Sequence, residues 1–219
     1  MKLSKLLFYI IIFFAVTVGI YPIAYFLFDM KGGLLATKTP ELLSDTKWNI
    51  AFYIHISLGA FAMLTGWPQF IENWRNKNMN LHRMLGKIYL ISVLISGISG
   101  FYIALFATGG FIAAAGFVFM SLAWLFTSAQ AYRKIINLDI NSHRNWMIRS
   151  YAITFSAVSL RLWLPVIQFI PGMDFITTYK IVAWLSWVLN LVIAEWIIMK
   201  TNRFSNYQVT EYSQIRQVQ

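Results

Sequence analysis

Two of the chain's three histidines sit in the same four-residue step. Asn-Leu-His-Arg occupies 80–83 and Asn-Ser-His-Arg occupies 141–144, each at the start of a long apolar stretch. An imidazole offers a lone pair to haem iron or exchanges a proton near neutral pH, and a guanidinium pairs with carboxylates or phosphates. His82 and His143 as axial ligands of one b-type haem, with Arg83 and Arg144 on its propionates, is the first chemistry this pattern suggests. His55 and Arg161 form a second pair, suited to a quinone whose carbonyl His55 would bond. Both readings make the chain a membrane redox protein. The alternative is a transporter or lipid-binding protein that uses the same groups on an anionic small molecule. A third reading is a non-catalytic subunit of a membrane complex. Against all three stands a plain structural role, in which His82 and His143 pin helix starts beside headgroups.

Other chemistry lacks its residues. The absence of cysteine removes disulfides, thiolate metal sites and thiol nucleophiles. No Walker loop, Gly-x-Ser-x-Gly or His-Glu-x-x-His motif occurs. A zinc site needs three convergent ligands, and the three histidines divide between two depths.

The elements that must position these groups are transmembrane helices. The chain has 219 residues, 58% of them hydrophobic and 12% charged, with mean hydropathy +0.60. Soluble domains carry about 25% charged residues. Apolar stretches near 6–28, 49–71, 84–107, 111–132, 146–170 and 178–199 each reach the ~20 residues that a bilayer span requires. The expectation is an all-α, six-transmembrane-helix bundle with both termini cytoplasmic. Residues 1–48 form the first helix and an outer loop, 49–199 a five-helix membrane core, and 200–219 a polar cytoplasmic tail that frays. Pro22 should kink the first span. Asn80, and either Asn141 or Ser142, are candidate N-caps. Trp48, Trp67, Trp74, Trp146 and Tyr179 fall near span ends, where an aromatic belt would sit.

Charge sets the orientation. With both termini inside, the inner segments, from Lys2 and Lys5 to Arg216, carry the whole net charge of +10 and the outer segments balance to zero. The basic face is expected to meet anionic headgroups of the bilayer, and nucleic acid is not an expected partner.

Polar and small residues recur at helical spacing inside the spans. His55, Gly59, Ala62, Gly66 and Gln69 share one face of the second helix, and His82, Gly86, Tyr89, Val93, Ser96 and Gly100 one face of the third. The fourth offers Ala113, Gly116, Met120, Ala123, Thr127 and Gln130, and the fifth His143, Met147, Ser150, Thr154, Ala157 and Arg161. Small residues let membrane helices approach closely. The charged positions are costly in lipid and need partners. For Arg83 and Arg144, placed where the helix dipole disfavours cations, the candidates are Glu72, Asp139, Glu195, lipid phosphates or a ligand. For Arg161 they are a bound anion, carbonyls exposed by Pro165, or His55.

The fragments "LHRMLGKIY" (81–89), "HRNWMIRSYAITF" (143–155), "LRLWLP" (160–165) and "WVLNLVIAEW" (187–196) together resemble a family of bacterial multi-pass membrane proteins, domain of unknown function 2306. The likeness runs from about residue 50 to 196. His55, His82, Arg83, Gly86, Tyr89, His143, Arg144, Trp146, Met147, Arg149, Arg161, Asn190 and Glu195 fit its pattern. The resemblance implies the multi-pass fold and a bacterial cytoplasmic (inner) membrane location, and it carries no activity.

Overall fold

The computed structural model of the protein describes residues 5–28 and 35–217, with side chains over 6–28 and 35–202. Lys2, Asp29, Lys31 and the side chains of Lys5, Arg203, Glu211 and Arg216, which enter the charge balance, lie outside the described residues. The described residues form helices and no strand: α1 (Lys5–Ile20), α2 (Ile23–Leu27), α3 (Pro40–Ser44), α4 (Thr46–Gly66), α5 (Glu72–Lys77), α6 (Met79–Ala104), α7 (Phe111–Ile136), α8 (Ile140–Thr154), α9 (Ser156–Gln168) and α10 (Phe175–Gln217).

Five stretches are long and apolar enough to cross a membrane: Leu6–Leu27, Thr46–Phe70, Met79–Ala104, Phe111–Ile136 and Phe175–Asn202. The first contains the break expected at Pro22, between α1 and α2. The remaining span is not a single helix. Ile140–Thr154 and Ser156–Gln168 pass the same test only together, and they are bent by 40° at Phe155. The visible helix breaker, Pro165, lies inside α9 and does not end it. The protein is therefore a multi-pass membrane protein with five candidate spans, or six where the bent pair α8–α9 is counted as one span.

Local sequence explains several ends. Asp45 accepts from Trp48 N at 2.9 Å and starts α4; Asp139 accepts from Ser142 N at 3.1 Å and starts α8. The turn between α6 and α7 uses Gly109 and Gly110 at φ +95° and +71°, conformations that a Cβ would strain. Asn80, Asn141 and Ser142 are not caps. The helices begin earlier, at Met79 and Ile140, so these residues lie inside the first turn. Past residue 201 the backbone continues as helix to Gln217, where the polar composition predicted a frayed tail; no Gly or Pro stands there to stop it.

Helices α4, α6, α7 and α8 form a ring in which each packs on the next and α4 also touches α8. The helices α6 and α8 thus stand diagonally across its interior. Outside the ring, α10 covers α7, α8 and α9, and α1 covers α4 and α9. The core is built from Ala62, Met63, Tyr89, Val93, Trp124, Ala131, Met147 and Tyr151, while large apolar side chains such as Phe111, Phe119, Phe126 and Val192 face outward, as lipid allows. Two of the expected belt residues are part of the interior. Trp48 stacks on Phe52 and Tyr179 on Phe175, both buried.

Candidate functional site: a histidine layer and the polar interior above it

The helices α6 and α8 enter the ring from the same end, and the two histidines occupy equivalent places. Each is the fourth residue of its helix. His82 N donates to Asn78 O and His143 N to Asp139 O, both at 2.9 Å. One contact shows that the two helices are in step. Tyr89 Oη meets Ser150 Oγ at 2.7 Å across a separation of 61 residues, the same separation that relates the two Asn-x-His-Arg steps. His82 and His143 each lie seven residues, about two turns, below that contact. They are at one depth, and His143 lies within electrostatic reach of His82.

All three histidines make the same choice of nitrogen. His82 Nδ1 bonds Gln69 Oε1, His143 Nδ1 bonds Ala131 O at 2.8 Å, and His55 Nδ1 bonds Ser96 O at 2.9 Å. A carbonyl oxygen can only accept, so Nδ1 carries the hydrogen in each neutral ring and Nε2 keeps its lone pair. Among the described residues no Nε2 has a hydrogen-bond partner. This is the tautomer in which metal-ligating histidines are held, with the remote nitrogen anchored to a carbonyl.

The arginines beside them are exposed, and no acid among the described residues answers them. Glu72 stands 4.0 Å from Arg75. Asp139 takes Ser142 N and Lys134 Nζ, the latter at 3.2 Å. Hydrogen bonds from Ser142, with a smaller contribution from Lys134, hold the Asp139 carboxyl below the usual range. Glu195 is engaged by Arg149 in a two-point pair, Nε to Oε1 at 2.5 Å and Nη2 to Oε2 at 2.9 Å, and that guanidinium also covers the Trp146 ring at 4.5 Å. All three candidate acids are thus committed away from Arg83 and Arg144 among the described residues.

The second expected pair is near but not bonded. His55 is locked by reciprocal bonds to Ser96, whose Oγ donates to His55 O at 2.9 Å. Its ring fits because position 100 is glycine: a Cβ there would stand 2.7 Å from Nδ1. Arg161 donates to Ala157 O at 2.8 Å and lies 5.1 Å over the Tyr21 ring. Of the partners expected for it, a carbonyl is the one found, although Ala157 O is not the carbonyl that Pro165 frees. That one belongs to Arg161 itself, four residues back.

Above the histidine layer the ring encloses hydroxyl groups. Tyr89 Oη bonds both Ser150 Oγ and Thr154 Oγ1, the latter at 2.9 Å; Ser128 Oγ bonds Ser150 Oγ at 2.7 Å; Trp124 Nε1 donates to Thr154 Oγ1 at 2.9 Å. Tyr89 and Ser150 are both 0% exposed. The sequence stripes contain Tyr89, Ser150 and Thr154 but miss Trp124, Ser121 and Ser128, because the inward face of α7 is turned one residue from the Ala123–Thr127–Gln130 line. At the bend, Asn190 Nδ2 donates to Ala152 O at 3.0 Å and Ser159 Oγ to Asn190 Oδ1 at 2.9 Å.

A family model described as "Predicted membrane protein (DUF2306)" matches residues 52–198. The chain belongs to this family. The matched stretch begins within α4 and ends within α10, so it contains the whole ring apart from the first turns of α4, and every residue of the histidine layer. No curated protein and no solved structure matches this DUF2306 member.

Proposed function

We propose that this DUF2306 protein is a membrane redox protein in which His82 and His143 hold a b-type haem between them through Nε2. One observation carries the reading. Two histidines at one depth on diagonal helices of a four-helix ring both have Nδ1 tied to a carbonyl, which leaves both Nε2 lone pairs for one central ligand. Arg83 and Arg144 support it, since neither is paired with an acid among the described residues and the propionates would supply one each. When bound, haem would supply one-electron chemistry. The chain's own part is to fix both imidazoles in one tautomer through Gln69 and Ala131. Quinone exchange at His55 and Arg161 fits the same class of function, with His55 held rigid by Ser96 and Gly100. The charge asymmetry supports placing the histidine layer on the cytoplasmic side of a bacterial inner membrane, facing anionic headgroups.

The test is the absorption spectrum of detergent-purified protein expressed with ample haem supply, oxidised and then dithionite-reduced, with a pyridine haemochrome assay. A reducible, near-stoichiometric haem signal lost in both His82→Ala and His143→Ala is expected. A colourless protein would end the haem reading. In that event Arg83 and Arg144 favour an anionic ligand, to be sought by thermal shift against carboxylates and phosphates.

A further inference from the structure

We infer that the interior of the ring is a proton path, running from the histidine layer to His55 near the opposite end. Its backbone is a spacing on α6. His82, Tyr89 and Ser96 are seven residues apart in turn, so they rise on nearly one face over about 21 Å, most of a ~30 Å hydrocarbon core. Each level is polar and engaged across the bundle: His82 with Gln69, Tyr89 with Ser150 and Thr154, Ser96 with His55. Buried polar groups are expensive in a membrane interior, and a packed apolar core would have closed the ring at lower cost.

The groups at the ends and in the middle suit the two jobs of a relay. Histidine is the side chain that exchanges protons near neutral pH, and both ends carry one whose Nε2 has no partner among the described residues. Between them, Ser128, Ser150, Tyr89 and Thr154 are joined hydroxyl to hydroxyl by three contacts of 2.7–2.9 Å. A hydroxyl can accept a proton on one side and release its own on the other, so a charge crosses the row without altering its composition. Trp124 N–H only donates; it orients Thr154 and does not relay. Ser128 lies one turn from Ala131, whose carbonyl holds His143. Toward His55 the next hydroxyl on α7 is Ser121, one turn beyond Trp124. Ser121 Oγ and His55 Nδ1 lie 3.5 and 2.7 Å from the same point, the place where Gly100 lacks a Cβ. Two steps have no direct hydrogen bond among the described residues, from the histidine layer to Ser128 and from Thr154 to Ser121 and His55, and these are the slow steps of the path.

This inference does not rest on haem, and its test is made without an electron donor. Full-length protein is reconstituted into phospholipid vesicles that contain a pH-sensitive dye, and a potassium diffusion potential is imposed with valinomycin. Proton entry several-fold above protein-free vesicles is expected, falling to the protein-free level in Tyr89→Phe, which keeps the ring and removes the relay oxygen. Should Tyr89→Phe fail to fold, Ser150→Ala interrupts the same row. Wild-type vesicles as tight as empty ones, or full flux in a folded variant, would overturn the path and leave the hydroxyls as a packing device. A colourless protein that conducts would keep this inference and lose the haem.

Discussion

Tyr89 and Ser150 meet at 2.7 Å across the diagonal of the ring, between two helices that otherwise barely touch. The phenol spans that gap, and its hydroxyl ends on two buried partners. Removing only the oxygen, in Tyr89→Phe, strands the hydroxyls of Ser150 and Thr154 from one partner each. The expected loss is about 1–3 kcal/mol, read as a lower Tm in detergent. Ser150→Ala should not add to it in full, because both changes break the same bond. Full additivity would mean that the two groups act separately.

Gly100 and His55 make a second, steric relationship. An alanine Cβ at 100 would stand 2.7 Å from Nδ1, closer than atoms of that size pack. The imidazole cannot simply retreat, since Nδ1 is bonded to Ser96 O. Gly100→Ala should therefore cost about 1–3 kcal/mol. Placed on a His55→Ala background, the same substitution should cost little, because the ring it strikes is gone. An equal penalty in both backgrounds would show that the strain lies elsewhere.

The sequence made the spans legible because lipid demands long apolar runs, and it made the kink at Pro22 legible because proline announces itself. The bend at Phe155 was hidden for the opposite reason. The carbonyl of Ala152 at the bend is bonded by Asn190, 38 residues away, and Pro165, the residue that looks responsible, sits inside an intact helix. The histidine layer was visible through the repeated Asn-x-His-Arg step. What holds each ring was not, since Ala131 contributes only its backbone oxygen, and no residue type marks that. Trp124 was missed because it lies one residue off the small-residue line drawn on α7; only the structure shows its N–H committed to Thr154.

The bend depends on that remote amide. Asn190 Nδ2 takes the carbonyl of Ala152, with a weaker bond from Ser156 Oγ at 3.4 Å, and Asn190 Oδ1 is itself held by Ser159. An amide inserted beside a helix ladder is a recognised cause of a kink. Asn190→Leu keeps the volume and removes both bonds. It should lower stability by about 1–3 kcal/mol and straighten α8 relative to α9. Spin labels near the start of α8 and the end of α9 would then move apart. An unchanged distance distribution would show that the bend is set by packing against α10 alone.

Asp139 offers a pH-dependent test at the start of α8, close to His143. Its carboxylate caps Ser142 and pairs with Lys134 at 3.2 Å, and these contacts hold its pKa below the usual value. A carboxyl depressed in the folded state adds stability above its unfolded pKa, about 3.9, and that contribution disappears as pH falls through the lower folded value. The cap should thus be fully present at neutral pH and weaken only below about pH 4. Asp139→Asn can still accept the Ser142 bond but neither titrates nor pairs with Lys134, so the variant should lose the acid dependence that Asp139 contributes while α8 still forms. The measurement is Tm against pH for the two proteins. Parallel curves from neutral pH down through the acid range would mean that the carboxylate charge does not stabilise this helix start.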